Sequence, residues 1–158
     1  MSPIIILDTG PLSNVAVAPA RGNQPFTASQ QCREWIEACE EAGRIILVPS
    51  IVLYESLREI ERRSAMSQKA HLLEFTFSSL NRFLPLTTDL LILAAKLWGI
   101  SRRNGSPTAS DFALDIDIIL CAQTLSLGLD PSEYVVATTN ARHLAQFANC
   151  EVWQNIVP

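Results

Sequence analysis

Lysine is nearly absent from this chain: of twelve basic residues in 158, only Lys69 and Lys96 are lysines. The cationic groups are therefore arginines, whose planar fork suits phosphate or carboxylate. A net charge of −4 argues against a protein held to nucleic acid by bulk basic charge. It does not exclude a nuclease, because a cation bound by clustered carboxylates neutralises them locally. Paired cysteine spacing is also missing. Cys32, Cys39, Cys121 and Cys150 form no C-x-x-C pattern, which speaks against zinc and for reduced, structural thiols in a cytoplasmic protein. No segment approaches the roughly twenty apolar residues of a membrane span. The N-terminal apolar run starts at once and breaks at Asp8, without the basic segment and cleavage pattern of a secretory signal. The expectation is a soluble protein. No internal repeat or low-complexity tract is present.

What is present is a core. With 48% hydrophobic residues, a chain of this length supports one domain spanning 1–158. Ile4 to Leu7 reads as a buried strand, Thr9 to Val17 as a turn and short helix, and Pro19 to Ala28 as a mobile loop. Ser29 is placed to cap a helix through Glu41, with Trp35, Ile36 and Cys39 on its apolar face. Ile45 to Val48 forms a second strand; Pro49 and Ser50 open a helix that buries Val52, Leu53, Ser56, Leu57 and Ile60. A helix over 67–81 follows, then a weak edge strand at Phe83 to Leu86 and a helix from a Thr88 cap to Arg103. After a loop at 104–108 come a helix from about Asp117 to Leu127, a strand at Tyr134 to Ala137, a small helix from Arg142 and a last strand near Val152. Strands alternating with helices predict an α/β fold, with a mostly parallel sheet of four to five strands between two helical layers.

Three acids stand out against this pattern. Asp8 ends the first strand, at the carboxyl edge where open α/β sheets bind ligands. Glu55 and Asp117 lie in apolar surroundings at Leu53-Tyr54-Glu55 and Ile116-Asp117-Ile118, where a charge is costly. Acids converging above one sheet edge suit a hard divalent cation, Mg²⁺ or Mn²⁺, and the chemistry that fits is phosphodiester hydrolysis. Asp115 is a further candidate ligand. Two residues from Asp117 on a continuous helix would put it roughly 200° away, so a helix start near Ile116 makes Asp115 a cap and points Asp117 into the site.

Taken in order, these segments resemble the PIN-domain nucleases, and among them the VapC-like toxins of type II toxin–antitoxin systems. Ile6-Leu7-Asp8-Thr9-Gly10 looks like the family's strand-ending Asp motif and Tyr54-Glu55 like its second acid. The run from Asp117 to Gln123 is similar to its third acid, and the run from Val136 to Leu144 to its closing motif. The resemblance implies a PIN-like three-layer sandwich and a metal-dependent endoribonuclease acting on single-stranded or structured RNA. It also implies Asp8, Glu55 and Asp117 as catalytic metal ligands, with Thr9, Thr138 and Asn140 in support. A small antitoxin protein and a homodimer follow as partners. The dimer is also suggested by the apolar faces of the helices at 51–65 and 67–80. Gly10 departs from the Asn or Ser common there, so a helper role beside Asp8 falls to Thr9 or Asn14. Asn140 replaces a fourth carboxylate.

Other readings compete. A haloacid-dehalogenase-type phosphohydrolase also begins on a strand-ending Asp but has Asp-x-Asp there, and the second acid here is Gly10. A phospho-accepting receiver domain needs a late lysine, and none follows Lys96. A PIN-like binding module without catalysis stays open. Asp89 and Asp111 read as helix caps, His143 as structural or substrate-contacting, and Trp35, Trp98 and Trp153 as packing groups.

Overall fold

In the computed structural model of the chain, residues 3–18, 27–111 and 113–158 are described. Five parallel strands, β1 (Ile4–Leu7), β2 (Ile45–Pro49), β3 (Phe83–Leu84), β4 (Tyr134–Thr138) and β5 (Cys150–Val152), form one sheet in the order β3-β2-β1-β4-β5. Six helices cover it: α1 (Thr9–Ala16), α2 (Ala28–Glu41), α3 (Ser50–Arg62), α4 (Met66–Phe77), α5 (Thr88–Arg103) and α6 (Ile116–Leu125). Ile5, Ile6, Leu7, Val136 and Ala137 are fully buried, which explains why β1 and β4 read as continuous apolar runs rather than alternating ones.

The strand order places the site. The chain leaves β1 toward β2 and later returns on its other side as β4, so the sheet's topological switch point lies at the carboxyl ends of β1 and β4. Leu7 pairs with Ala137, and Asp8 N donates to Ala137 O at 2.9 Å. The next residue on each strand, Asp8 and Thr138, is thereby brought to the same sheet edge.

Gln123, fully buried on α6, joins three elements. Its Oε1 accepts from Ile51 N at 3.2 Å, and its Nε2 donates to Leu84 O at 2.9 Å and to Ser50 Oγ at 3.2 Å. Pro49 gives α3 no side-chain cap, so Gln123 satisfies one of that helix's free amides. It thereby ties the helix carrying Glu55 to the one carrying Asp117.

Several sequence expectations are corrected. Thr27, not Ser29, caps α2, accepting from Gln30 N at 3.2 Å. The cap must be the extended residue before the first helical one, and Ser29 is already inside the helix, donating to Asn14 Oδ1 at 2.8 Å. Thr87 takes the place expected of Thr88 for the same reason. Asp89 sits in the first turn of α5, and Asp111 pairs with Arg102 at 3.1 Å; neither is a cap. Helix α4 stops at Phe77, short of residue 81, and Asn81 adopts φ 67°. The expected helix from Arg142 is a 3-10 turn at Leu144–Gln146. The loop expected at Pro19 to Ala28 falls mainly on 19–26, outside the described residues.

Trp35 and Trp153 are buried against each other, ring centroids 5.5 Å apart, and Trp35 Nε1 donates to Ile156 O at 2.7 Å. All four cysteines are free. Burial pushes the Cys32 thiol up to about 11 and that of Cys121 to about 12, so neither is a nucleophile near neutral pH. Among the described residues no helix is long and apolar enough to cross a membrane.

Candidate active site at the sheet switch point

Asp8 caps α1: its Oδ1 accepts from Thr9 N at 2.7 Å, and its Oδ2 accepts from Thr138 Oγ1 at 2.6 Å. Thr138 Oγ1 also accepts from Asn140 N at 3.0 Å. A hydroxyl has a single proton, so the contact from Asn140 leaves that proton directed at Asp8. Despite both hydrogen bonds, burial holds the Asp8 carboxyl above its ordinary range, and the charge of Glu55 adds to the rise.

Thr9 bridges two of the acids. Its N–H serves Asp8, and its Oγ1 donates to Glu55 Oε2 at 2.5 Å. The other Glu55 oxygen meets Arg58 at 3.3 Å in a solvent-facing pair. Asn14, the other helper considered for the Gly10 departure, is engaged elsewhere: its Nδ2 donates to Gly10 O at 3.2 Å and its Oδ1 accepts from Ser29.

Asp117 lies in the first turn of α6. Burial raises its pKa most, then the charge of Asp8, with Asp115 adding a smaller rise; His143 opposes them through a contact of 3.3 Å from its Nδ1 to Asp117 Oδ2. Asp117 therefore lies within electrostatic reach of Asp8, 109 positions earlier in the sequence, whereas the charge that adds to the rise at Asp8 is that of Glu55. Asp115 is differently placed. It is the N-cap of α6, with Oδ1 accepting from Ile118 N at 3.2 Å and Oδ2 from Thr108 Oγ1 at 2.5 Å, so both of its oxygens are taken. Asn140 Oδ1 accepts from Arg142 N at 3.2 Å, which fixes the turn after β4.

Gly10 has a steric explanation. A Cβ there would lie 2.5 Å from Thr139 Cγ2 and 3.2 Å from Thr139 Cβ, so the turn after β4 passes directly over the start of α1. Gly10→Ser is expected to lower stability by about 1 kcal/mol or more. Adding Thr139→Ala should recover part of the loss, because the closest methyl is gone. Thermal melts of the three chains check this, and an unchanged midpoint for Gly10→Ser would remove the steric account.

No family profile matches the chain, and no curated protein matches it. Solved structures do. FitAcB from Neisseria gonorrhoeae is 14% identical with a TM-score of 0.62, the match covering 96% of this chain and 99% of that one. VapBC2 from Rickettsia felis, solved bound to a DNA fragment from their promoter, is also 14% identical with a TM-score of 0.62, over 94% and 97%. The fold is PIN-like.

At the switch point of this PIN-like fold, the donors suit a hard cation in type, since Asp8, Glu55 and Asp117 offer only carboxylate oxygens. Among the described residues, no three His, Cys, Asp or Glu side chains stand close enough to enclose an ion directly. That spacing is compatible with Mg²⁺, which keeps several of its waters and takes only one or two carboxylates.

The raised pKa values have a consequence for stability. Asp8 and Asp117 both lie above 3.8 in the folded chain, so the stability they contribute is full below that value and is lost as pH rises through their folded values. In the presence of a chelator, Asp8→Asn is expected to gain thermal stability relative to the parent as pH rises from about 4 toward neutrality. Mn²⁺ at neutral pH should narrow that gap by stabilising the parent. A gap that stays constant across the titration would contradict the electrostatic account.

Proposed function

We propose that the chain is a divalent-metal-dependent endoribonuclease of the VapC type, the toxin of a toxin–antitoxin pair acting in the cytoplasm. The observation that carries this reading is the pairing of Asp8 and Asp117, two part-buried carboxylates at the switch point, each pushed toward protonation by burial and Asp117 further by the charge of Asp8. Such an arrangement is relieved by a cation. Asp8 and Asp117 would hold Mg²⁺ or Mn²⁺, and Glu55, held in direction by Thr9, would act on the ion's waters rather than as a third direct ligand. When bound, the ion supplies activation of water and neutralisation of charge on a phosphodiester. Thr138 fixes the Asp8 carboxylate from one side and His143 the Asp117 carboxylate from another. Asn140 acts through Thr138 and through its own turn.

A small antitoxin would block this site most simply by presenting an arginine to the acids, since a guanidinium pairs bidentately with carboxylates. A homodimer is part of the same reading. On α4 and just beyond it, Phe77 is 57% exposed and Leu80 94%, apolar surface that a second copy would cover.

The test is direct. The purified chain should cut single-stranded RNA when Mg²⁺ or Mn²⁺ is supplied and stop when the ion is chelated. RNA bound but never cut would favour a binding module, and RNA neither bound nor cut would overturn the reading.

A further inference from the structure

Beside Asp117 lies a cavity of about 510 Å³ lined by Gly105, Ser106, Pro107, Arg142, His143 and Gln146. One wall is the loop after α5 and the other is the turn after β4. Among the described residues no acidic side chain lines it, although the chain as a whole carries a net charge of −4. Five other arginines face acids, Arg58 meeting Glu55, Arg62 and Arg63 meeting Glu59, Arg82 meeting Glu40 and Arg102 meeting Asp111, whereas Arg33, Arg44 and Arg103 form no ion pair among the described residues. Arg142 is exposed and has no ion pair among the described residues.

The backbone that presents Arg142 is registered to the acids. Its N–H is held by Asn140 Oδ1, Asn140 N is held by Thr138, and Thr138 is held on Asp8. The neighbouring His143 contacts Asp117 through Nδ1, so the cavity begins where the acid site ends. A permanent cation in an acid-free hollow, adjoining a site suited to phosphodiester chemistry, has the chemistry of an anion subsite.

We propose that this cavity binds a backbone phosphate of single-stranded RNA flanking the bond at the acid site, with the Arg142 guanidinium as its charged donor. This rests on the ribonuclease reading above. The subsite sets where the strand lies and is separate from the carboxylates that act on the scissile bond.

The test uses a fluorescent single-stranded RNA and the full chain carrying Asp8→Asn, so that binding is read without cutting. Anisotropy titrations across a salt series give affinity and its salt dependence. Adding Arg142→Ala is expected to weaken binding several-fold and to reduce the slope of log affinity against log salt by about 0.7, the value for one phosphate contact on a single strand. Arg142→Lys should keep the slope, whereas Arg62→Ala, on the outer face of α3, should change neither quantity. If Arg142→Ala leaves affinity and slope at the values of the Asp8→Asn chain while the parent cuts RNA, the subsite is wrong and the nuclease reading stands. If the parent neither binds nor cuts RNA, both fall together.

Discussion

Replacing Asp8 by asparagine is expected to lower RNA cleavage on the order of a hundredfold to a thousandfold, the scale seen when one group acting on charge at a reacting centre is removed. The fold should survive. Asparagine is as good a helix cap as aspartate and retains an oxygen to accept from Thr9 N, so the start of α1 keeps its partner. What disappears is a buried charge that burial and Glu55 already oppose, so the variant should melt at or above the parental temperature at neutral pH. Cleavage rates and melting curves of the two proteins check both halves. Parental cleavage by a folded Asp8→Asn chain would remove Asp8 from the chemistry.

Asp117→Ala should lose cleavage to a similar degree, while Asp115→Ser retains a substantial fraction of it. The two acids are two residues apart, Asp115 as the N-cap before α6 and Asp117 in its first turn. Asp115 uses one oxygen on Ile118 N and the other on Thr108, whereas Asp117 meets His143 and lies within electrostatic reach of Asp8. Serine keeps the capping bond and gives up the partner of Thr108, a loss of roughly 1 kcal/mol in stability. Equal loss of cleavage in both variants, each still folded, would make Asp115 a working member of the site.

Much of this architecture was legible in the sequence, for identifiable reasons. An apolar run broken by a single acid marks β1 and Asp8, because a strand buried on both faces tolerates no polar residue until it leaves the sheet. The alternation of such runs with amphipathic segments yields the parallel sheet. Local periodicity carries less information about ends. Thr27 lies two residues before Ser29 and Thr87 one before Thr88, residues that could also cap, and only backbone conformation separates the candidates. Leu80 looks like a core position by composition yet faces outward, since α4 ends at Phe77, before its apolar pattern does.

The site was legible as a set of acids and illegible as a set of contacts. Nothing local in the sequence announces that Thr9 holds Glu55, 46 positions away, or that Thr138 holds Asp8 across 130. Those meetings follow from strand register, which is a long-range property. Gln123 lies in an apolar helix with no signal beyond its polarity, and its work in tying α3 to α6 depends on where β3 ends. Gly10 stands out in the sequence as a missing helper side chain, and its steric reason emerges only from the fold. A glycine two residues after a strand-ending acid signals close passage of another segment, here Thr139.

The central claim is that Asp8 and Asp117 share a divalent cation, and the measurement closest to it is Mn²⁺ binding to the chain itself. Electron paramagnetic resonance of free Mn²⁺ during titration at neutral pH reports how much of the ion is bound. The account predicts binding by the parent and by Asp115→Ser, and strongly weakened binding by Asp8→Asn and by Asp117→Ala. A parent that takes up no Mn²⁺, or variants at Asp8 and Asp117 that take it up as well as the parent, would contradict it.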